Sequence, residues 1–121
     1  MKNIFKLTFS MVLMFSLFSF KSVNMKFLPT KLKITVLDEL GNQVEGAKVT
    51  LFKTEEDYRA ETNPVGVPAI TDEDGKAKIG DLEPIQYYVL AEKGKKANHG
   101  AGVKTQKLEE GKTNRINTVI R

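Results

Sequence analysis

Apolar and polar residues alternate along short stretches of the chain from residue 31 onward. KLKITVLDE and EGAKVTLFKT each place every second residue in an apolar row and the residues between them in a polar row. A period of two is typical of a strand with one buried face. The predicted buried faces consist of Leu32, Ile34 and Val36 in the first stretch and Ala47, Val49 and Leu51 in the second. LGNQ between them has turn-forming residues, so we expect a short hairpin.

Similar patterns follow towards the end of the chain. AITDEDGKAKIGDL predicts a hairpin around an acidic turn, with Ile70 ending one strand and Ala77 and Ile79 pointing inward on the other. IQYYVLAEK predicts a strand whose inward residues are Tyr87, Val89 and Ala91. VKTQKL and NRINTVIR predict two further strands on either side of EEGKT, after a glycine-rich loop from Gly94 to Gly102.

The stretch from Glu55 to Ala69 has no clean period. It contains Pro64, Gly66 and Pro68, which favour a long irregular loop with room for a short strand or helical turn in its first half. No segment after residue 22 has a sustained helical period, and turn signals recur at the short spacing of a sandwich. The sequence therefore predicts an all-β domain of about seven strands.

The first residues have the pattern of an export signal. MKNIFK carries two lysines and precedes LTFSMVLMFSLFSF, an uncharged apolar and serine run that stops at Lys21. This run is shorter than the roughly 20 apolar residues that a membrane anchor needs. We therefore expect a signal peptide at 1–22, a linker at 23–30 and one domain at 31–121, exported to the periplasm or secreted, with no membrane span after processing.

Charge and cysteine content narrow the possible functions. Lys2 and Lys6 are lost with the predicted signal, so the net charge of +4 overstates the basicity of the processed domain. Acids outnumber bases between residues 38 and 92, and bases outnumber acids from 93 to 121. Two interpretations stay open. The asymmetry orients the domain against an anionic surface, or the lysines lie on edge strands and discourage aggregation between sheets. The chain has no cysteine, so the domain must rely on its core for stability.

Two segments carry a resemblance to a known family. ITVLDELGNQVEGAKVTLF resembles the opening of carboxypeptidase regulatory-like domains, and TDEDGKAKIGDLEPIQYYVLAE resembles their middle section. Ile85 departs from the pattern, because many members have glycine there. The resemblance covers residues 32 to about 120 and implies a prealbumin-like (transthyretin-like) Greek-key β-sandwich of seven strands. Such domains mostly act as binding, spacer or stabilising modules.

The same fold hosts an enzyme that opens hydroxyisourate. In that family the active site is built from histidines and an arginine, and the chain ends in the motif Tyr-Arg-Gly-Ser. This chain has a single histidine and NTVIR in place of that end, so we do not expect this activity.

The acidic turn TDEDGK is a candidate cation site. Aligning Gly75 with the glycine of a calcium loop places Asp72 and Asp74 at ligand positions, but Ile70 replaces the first ligand and Asp81 stands where a bidentate glutamate is usual. A tight turn also demands aspartate and glycine. We expect a turn, with no metal and no cofactor.

His99 is the single histidine, so a zinc site would need distant carboxylates. Gly100 and Gly102 do not match a dinucleotide fingerprint, which requires a following helix. The lysines near this loop can contact phosphate or acidic glycans. No aromatic residue is interleaved with them, and we expect no nucleic acid partner.

An intramolecular lysine–asparagine bond, as in collagen-adhesin repeats, is a further possibility. Glu92, as the catalysing acid, and Asn117, as the reacting asparagine, fall in suitable segments. The reacting lysine must be buried, but the alternation places Lys31 and Lys33 on the outward face of the first strand.

Loops remain as the predicted binding elements. The candidate binding residues are Tyr58, Arg59, Asn63, Val67, Lys95, Lys96 and His99. They predict a non-enzymatic exported module that binds a protein or glycan or has a structural role in the cell envelope. Two alternatives stay open: an enzyme using Asp72, Asp74 and Glu92, and homodimerisation through sheet edges.

Overall fold

The computed structural model describes residues 28–100 and 102–121, so the predicted signal at 1–22 and most of the linker lie outside the described residues. These residues form seven strands and one short helix. The elements are β1 (Lys31–Leu37), β2 (Lys48–Phe52), α1 (Glu55–Ala60), β3 (Ala69–Ile70), β4 (Lys76–Ile79), β5 (Tyr88–Lys93), β6 (Lys96–Ala97) and β7 (Thr113–Val119). Among them, no helix is long and apolar enough to cross a membrane.

The strands form two sheets, which confirms the predicted β-sandwich. A three-stranded sheet has the order β4-β1-β7, and a four-stranded sheet has the order β3-β2-β5-β6. Strands β1 and β7 pair in parallel over their full length, and the other neighbours are antiparallel. The first and last strands therefore lie side by side.

The alternating pattern predicted the buried faces correctly. All of the apolar residues assigned to the buried faces of β1 and β2 are at most 1% exposed, as are Tyr87, Val89 and Ala91. Ala77 is also buried, and Ile79 packs against the same core. Each sheet thus contributes one apolar face to the space between the sheets, as the hydrophobic effect requires.

The predicted hairpin between β1 and β2 is wrong. The Asp38–Asn42 turn reverses the chain, but only an isolated bridge between Leu37 and Gln43 follows it. The chain then crosses to the other sheet, where β2 pairs with β3 and β5. Either arrangement buries the same apolar face, so the hydrophobic pattern could not distinguish them.

The later part of the chain departs from prediction in a similar way. Strands β3 and β4 flank the acidic turn but belong to different sheets. VKTQKL forms no strand and pairs only through an isolated bridge between Tyr88 and Lys104. The glycine-rich stretch contains β6, and α1 occupies the position where a helical turn was allowed.

Asn98 is a buried polar residue within the stretch that the sequence predicted to be a glycine-rich loop. It is 1% exposed. Its Oδ1 accepts a hydrogen bond from the Ala91 N–H at 3.0 Å, and its Nδ2 donates to the Val89 carbonyl at 2.9 Å. Nδ2 also donates to the Thr118 hydroxyl at 3.0 Å. One amide therefore joins β5 in one sheet to β7 in the other.

Candidate functional site

Helix α1 lies against the outer face of the four-stranded sheet, where it contacts β2 and β5. Thr54 caps it, because the Thr54 hydroxyl accepts a hydrogen bond from the Asp57 N–H at 3.1 Å. The acidic first turn suits the positive end of the helix dipole. This short helix places Tyr58 over the sheet.

Tyr58 is the centre of an aromatic cluster. Its ring lies edge-on to Phe52, with centroids 6.1 Å apart, and tilted against Tyr88 at 6.3 Å. Such pairs are stabilising beyond the area they bury. The packing fixes the direction in which the Tyr58 hydroxyl points.

The Tyr58 hydroxyl lies 3.3 Å from Nδ1 of His99, within hydrogen-bond distance. The ring centroids of the two residues are 6.4 Å apart. Partial burial, and secondarily the negative charge of Glu61, raises the pKa of Tyr58. The phenol therefore stays protonated at neutral pH and can donate a hydrogen bond.

An open cleft of about 510 Å³ lies beside this pair. Its lining consists of Glu55, Tyr58, Arg59, His99, Gly100, Gly102, Val103 and Lys104. Arg59 Nη2 and Glu55 Oε1 form an ion pair at 2.7 Å on the helical rim. The cleft combines aromatic surface with donors and acceptors of both charges, a combination suited to binding a polar ligand such as a glycan or an extended peptide.

The other predicted binding residues lie apart from this cleft. Asn63 Nδ2 donates to Asp57 Oδ1 at 3.3 Å and helps to hold the segment after α1. Val67 is 86% exposed and does not line the cleft. Lys95 and Lys96 line a different cleft of about 530 Å³, together with Asp38 and Glu45. The structure thus brings together three of the seven predicted residues: Tyr58, Arg59 and His99.

In the acidic turn, the side chain of Asp72 accepts hydrogen bonds from the backbone. Asp72 Oδ1 accepts from the Asp74 N–H at 2.9 Å and from the Lys76 N–H at 3.0 Å. The preceding turn is built in the same way, because Asp38 Oδ1 accepts from the N–H groups of Leu40 and Asn42, both at 2.9 Å. These hydrogen bonds lower the pKa of both aspartates, first through the Lys76 N–H at Asp72 and the Asn42 N–H at Asp38. The two aspartates therefore have a structural role in their turns.

The carboxylates of the enzyme alternative do not share a cleft. None of Asp72, Asp74 and Glu92 lines the two clefts described above or a third cleft, which lies beside β7 and is lined by Arg115 and Asn117 of that strand. Within residues 28–100 and 102–121, no three carboxylate or imidazole groups cluster closely enough to hold a metal ion.

The lysines of β1 and Asn117 of β7, which the lysine–asparagine bond would need in the core, lie on the outer face of the sheet. Leu32, Ile34 and Val36 occupy the buried face of β1, and the lysines alternate with them on the outer face. Asn117 is exposed on the outer face of β7. The expected parity is confirmed, and these lysines do not reach the core.

Two charged residues of the cleft were not among the candidate binding residues, although Lys104 is one of the lysines near the glycine-rich loop that were expected to contact phosphate or acidic glycans. Glu55 and Lys104 each contribute one charge to its lining. A local signal existed for Glu55, because Thr54-Glu55-Glu56-Asp57 has the threonine and acid spacing of a helix start. No local pattern connects Lys104 with α1, since the fold alone brings them together.

No family model matches the sequence, and no curated protein matches it significantly. Solved structures with similar folds include a streptococcal ancillary pilin, with 20% identity and a TM-score of 0.55 over 78% of this chain and 32% of the pilin. A DUF3823 family protein from Parabacteroides merdae matches with 15% identity and a TM-score of 0.53 over 76% of this chain and 45% of that one. The major pilin subunit of Bacillus cereus matches with 18% identity and a TM-score of 0.50 over 77% of this chain and 30% of the pilin.

These likenesses establish the fold alone. The chain spans less than half the length of each of the three proteins. It is thus similar to one β-sandwich portion of larger molecules.

Proposed function

We propose that the chain is an exported, non-enzymatic β-sandwich module of the cell envelope that binds a protein or glycan through the Tyr58–His99 cleft. The export-type N-terminal sequence and the fold likeness to pilin portions support the location. The carboxypeptidase regulatory-like assignment belongs to the same proposal. It is supported by the two matching Asp-x-x-Gly turns and by the buried strands that follow them.

The observation that carries the binding role is the convergence of Tyr58 and His99. They lie 41 positions apart in the sequence, yet their side chains come within 3.3 Å and line one open cleft. A half-buried phenol, an imidazole and a guanidinium present directional polar groups beside aromatic surface. Protein and carbohydrate ligands are recognised by groups of this kind.

A pull-down from the cell envelope of the native host tests this role. The bait is the processed chain, compared with Tyr58→Phe, Arg59→Ala and His99→Ala variants. Tyr58→Phe keeps the ring packing on Phe52 and removes only the hydroxyl, so its effect on capture reports on the hydrogen-bonding group. Lys48→Ala, an exposed lysine outside the cleft, is the control.

We expect one partner to be captured by the wild type and the control and to be depleted with all three cleft variants. Urea denaturation of each variant verifies that the fold is retained. A partner captured equally by all baits would overturn the proposed site. A captured small molecule that is chemically converted would overturn the non-enzymatic role.

A further inference from the structure

The outer face of the three-stranded sheet carries a dense group of cations. We call Lys31, Lys33, Lys76, Lys78 and Arg115 the basic face. Lys33 on β1 pairs with Lys78 on β4 and with Arg115 on β7, so three cations stand directly opposite one another across three strands. Their neighbours on the same face are Thr35, Thr113 and Asn117, which are uncharged.

This arrangement is unfavourable for the isolated domain. Adjacent strands are about 4.8 Å apart, and like charges at directly opposite positions are destabilising. None of the three ion pairs formed within the described residues includes a cation of the basic face. Within the part of the chain that the structure describes, no ion pair offsets the repulsion across the row, which leaves the row available to a bound anion.

Asp72 lies near the basic face but is engaged in its own turn. The backbone hydrogen bond from the Lys76 N–H is the main cause that lowers the pKa of Asp72, and the charges of Lys76 and Lys33 add smaller contributions in the same direction. Asp72 Oδ1 already accepts two backbone hydrogen bonds in the acidic turn. Asp72 lies in the turn before β4 begins, so it does not interrupt the row Lys78–Lys33–Arg115.

The basic face continues around the edge of β7. A cleft of about 500 Å³ runs along this strand and is lined by Arg115 and Asn117 from the face and by Lys104 and Lys107 from the segment beside it. The one acid in the lining, Glu109, lies 3.4 Å from Lys112 in an ion pair. Face and cleft together form a continuous cationic surface on one side of the sandwich.

We propose that the basic face and the β7 cleft bind an extended anionic polysaccharide. Its carboxylate, sulfate or phosphate groups would meet the row Lys78–Lys33–Arg115, and the hydroxyl and amide groups of Thr35, Thr113 and Asn117 would meet sugar hydroxyls. The charge of the surface selects an anionic chain, and its open, flat shape admits an extended polymer.

Other occupants fit the surface less well. The face has no aromatic residue for stacking nucleobases or anchoring in a bilayer interface. The β7 cleft shares Gly102 and Lys104 with the Tyr58–His99 cleft, but the row Lys78–Lys33–Arg115 does not line that cleft. Substitutions in the row therefore test this proposal independently of the Tyr58–His99 cleft.

The test is titration calorimetry of the full processed chain with polygalacturonate at low salt, with dextran of equal length as the neutral polymer. The test variant is the triple Lys33→Gln, Lys78→Gln and Arg115→Gln. The matched control is the triple Lys48→Gln, Lys53→Gln and Arg121→Gln, which removes the same charge from elsewhere on the surface. Binding should weaken as salt rises, because polyanions release counterions.

We expect the test variant to weaken binding by about tenfold or more, since three anion contacts are lost, and to flatten its salt dependence. The control should change it by less than about twofold. Without polymer, the test variant should unfold at a higher urea concentration than the wild type, because the repulsive row is gone.

Three results would overturn the proposal: equal weakening by both triple variants, equal binding of dextran, or no binding of polygalacturonate. Tighter binding to phosphatidylglycerol vesicles or to double-stranded DNA would assign the face to those ligands instead. Self-association by light scattering that the test variant abolishes would assign it to a second copy of the chain.

Discussion

Asn98 connects the two sheets through three hydrogen bonds of a single side chain. We expect Asn98→Ala to lower the free energy of unfolding by about 3 kcal/mol or more, because the Ala91 N–H and the Val89 carbonyl lose their amide partner inside the core. Urea denaturation measures the change. Asn117→Ala, at an exposed position of β7, should change the free energy by less than about 0.5 kcal/mol. Equal effects of the two substitutions would contradict the role assigned to Asn98.

Gly75 and Gly41 occupy equivalent places in the two aspartate turns, and both have positive φ, +71° and +86°. They differ in their surroundings. A Cβ at Gly75 would lie 2.9 Å from the Val36 carbonyl oxygen and 2.9 Å from the Val44 nitrogen, whereas a Cβ at Gly41 would meet nothing within 4 Å. The close contacts at Gly75 are with backbone, which cannot rotate away.

Alanine substitutions at Gly41 and Gly75 give a matched pair of stability predictions. Gly41→Ala should cost about 1–2 kcal/mol, the strain of a left-handed alanine. Gly75→Ala should cost about 1–3 kcal/mol more, because the turn must also shift away from β1. Thermal or urea unfolding of both variants checks the difference. If the two alanines cost the same, the turns are not packed as described.

Residue-level predictions from the sequence succeeded where one alternating pattern decided the outcome. Leu32, Val49 and Val89 were assigned to the core and are fully buried. Asn98 was missed because it lies in a glycine-rich stretch with a polar composition. Its burial depends on β5 and β7 being in place on either side, which no local pattern encodes.

At the scale of elements, the two aspartate turns give a pH dependence. Asp38 and Asp72 have pKa values below the usual 3.8, because backbone N–H groups donate to the ionised carboxylates. A lowered folded-state pKa means that the folded state binds its proton less readily than the unfolded state. The resulting stability is fully present above about pH 4 and is lost as the pH falls through the folded-state pKa values.

We therefore expect the double variant Asp38→Asn and Asp72→Asn to lose less stability than the wild type when the pH is lowered from 5 to 2. Asparagine keeps an acceptor oxygen but does not titrate. Urea denaturation across this pH range measures the difference. Parallel pH profiles for the two proteins would show that the turn carboxylates do not contribute.

The same turns explain why strand positions were predicted better than strand pairing. Asp-x-x-Gly fixes a local reversal of the chain, and the alternation fixes which face of the next strand is buried. Neither feature says whether that strand returns to the same sheet or crosses to the opposite one. Both turns lead to the opposite sheet, so the predicted hairpins were wrong although the turns and buried faces were right.

For the whole molecule, two surfaces on opposite sheets carry the functional proposals. Helix α1 and the Tyr58–His99 pair cover the outer face of the four-stranded sheet, and the basic face covers the outer side of the three-stranded sheet. The sequence identified Tyr58, Arg59 and His99 as candidates from residue type and position. It could not show that these three meet while Asn63 and Val67 do not, because their proximity depends on how α1 docks on β2 and β5.

The central claim is that the module binds its partner through the Tyr58–His99 cleft. The most direct test is a backbone amide NMR titration of the isotope-labelled processed chain with fractionated cell-envelope glycans and proteins of the native host. The account predicts that the largest shift changes fall on α1, His99 and Lys104, and that Tyr58→Phe reduces the affinity. Shift changes centred on Asp72, Asp74 and Glu92, with conversion of the added compound, would contradict it.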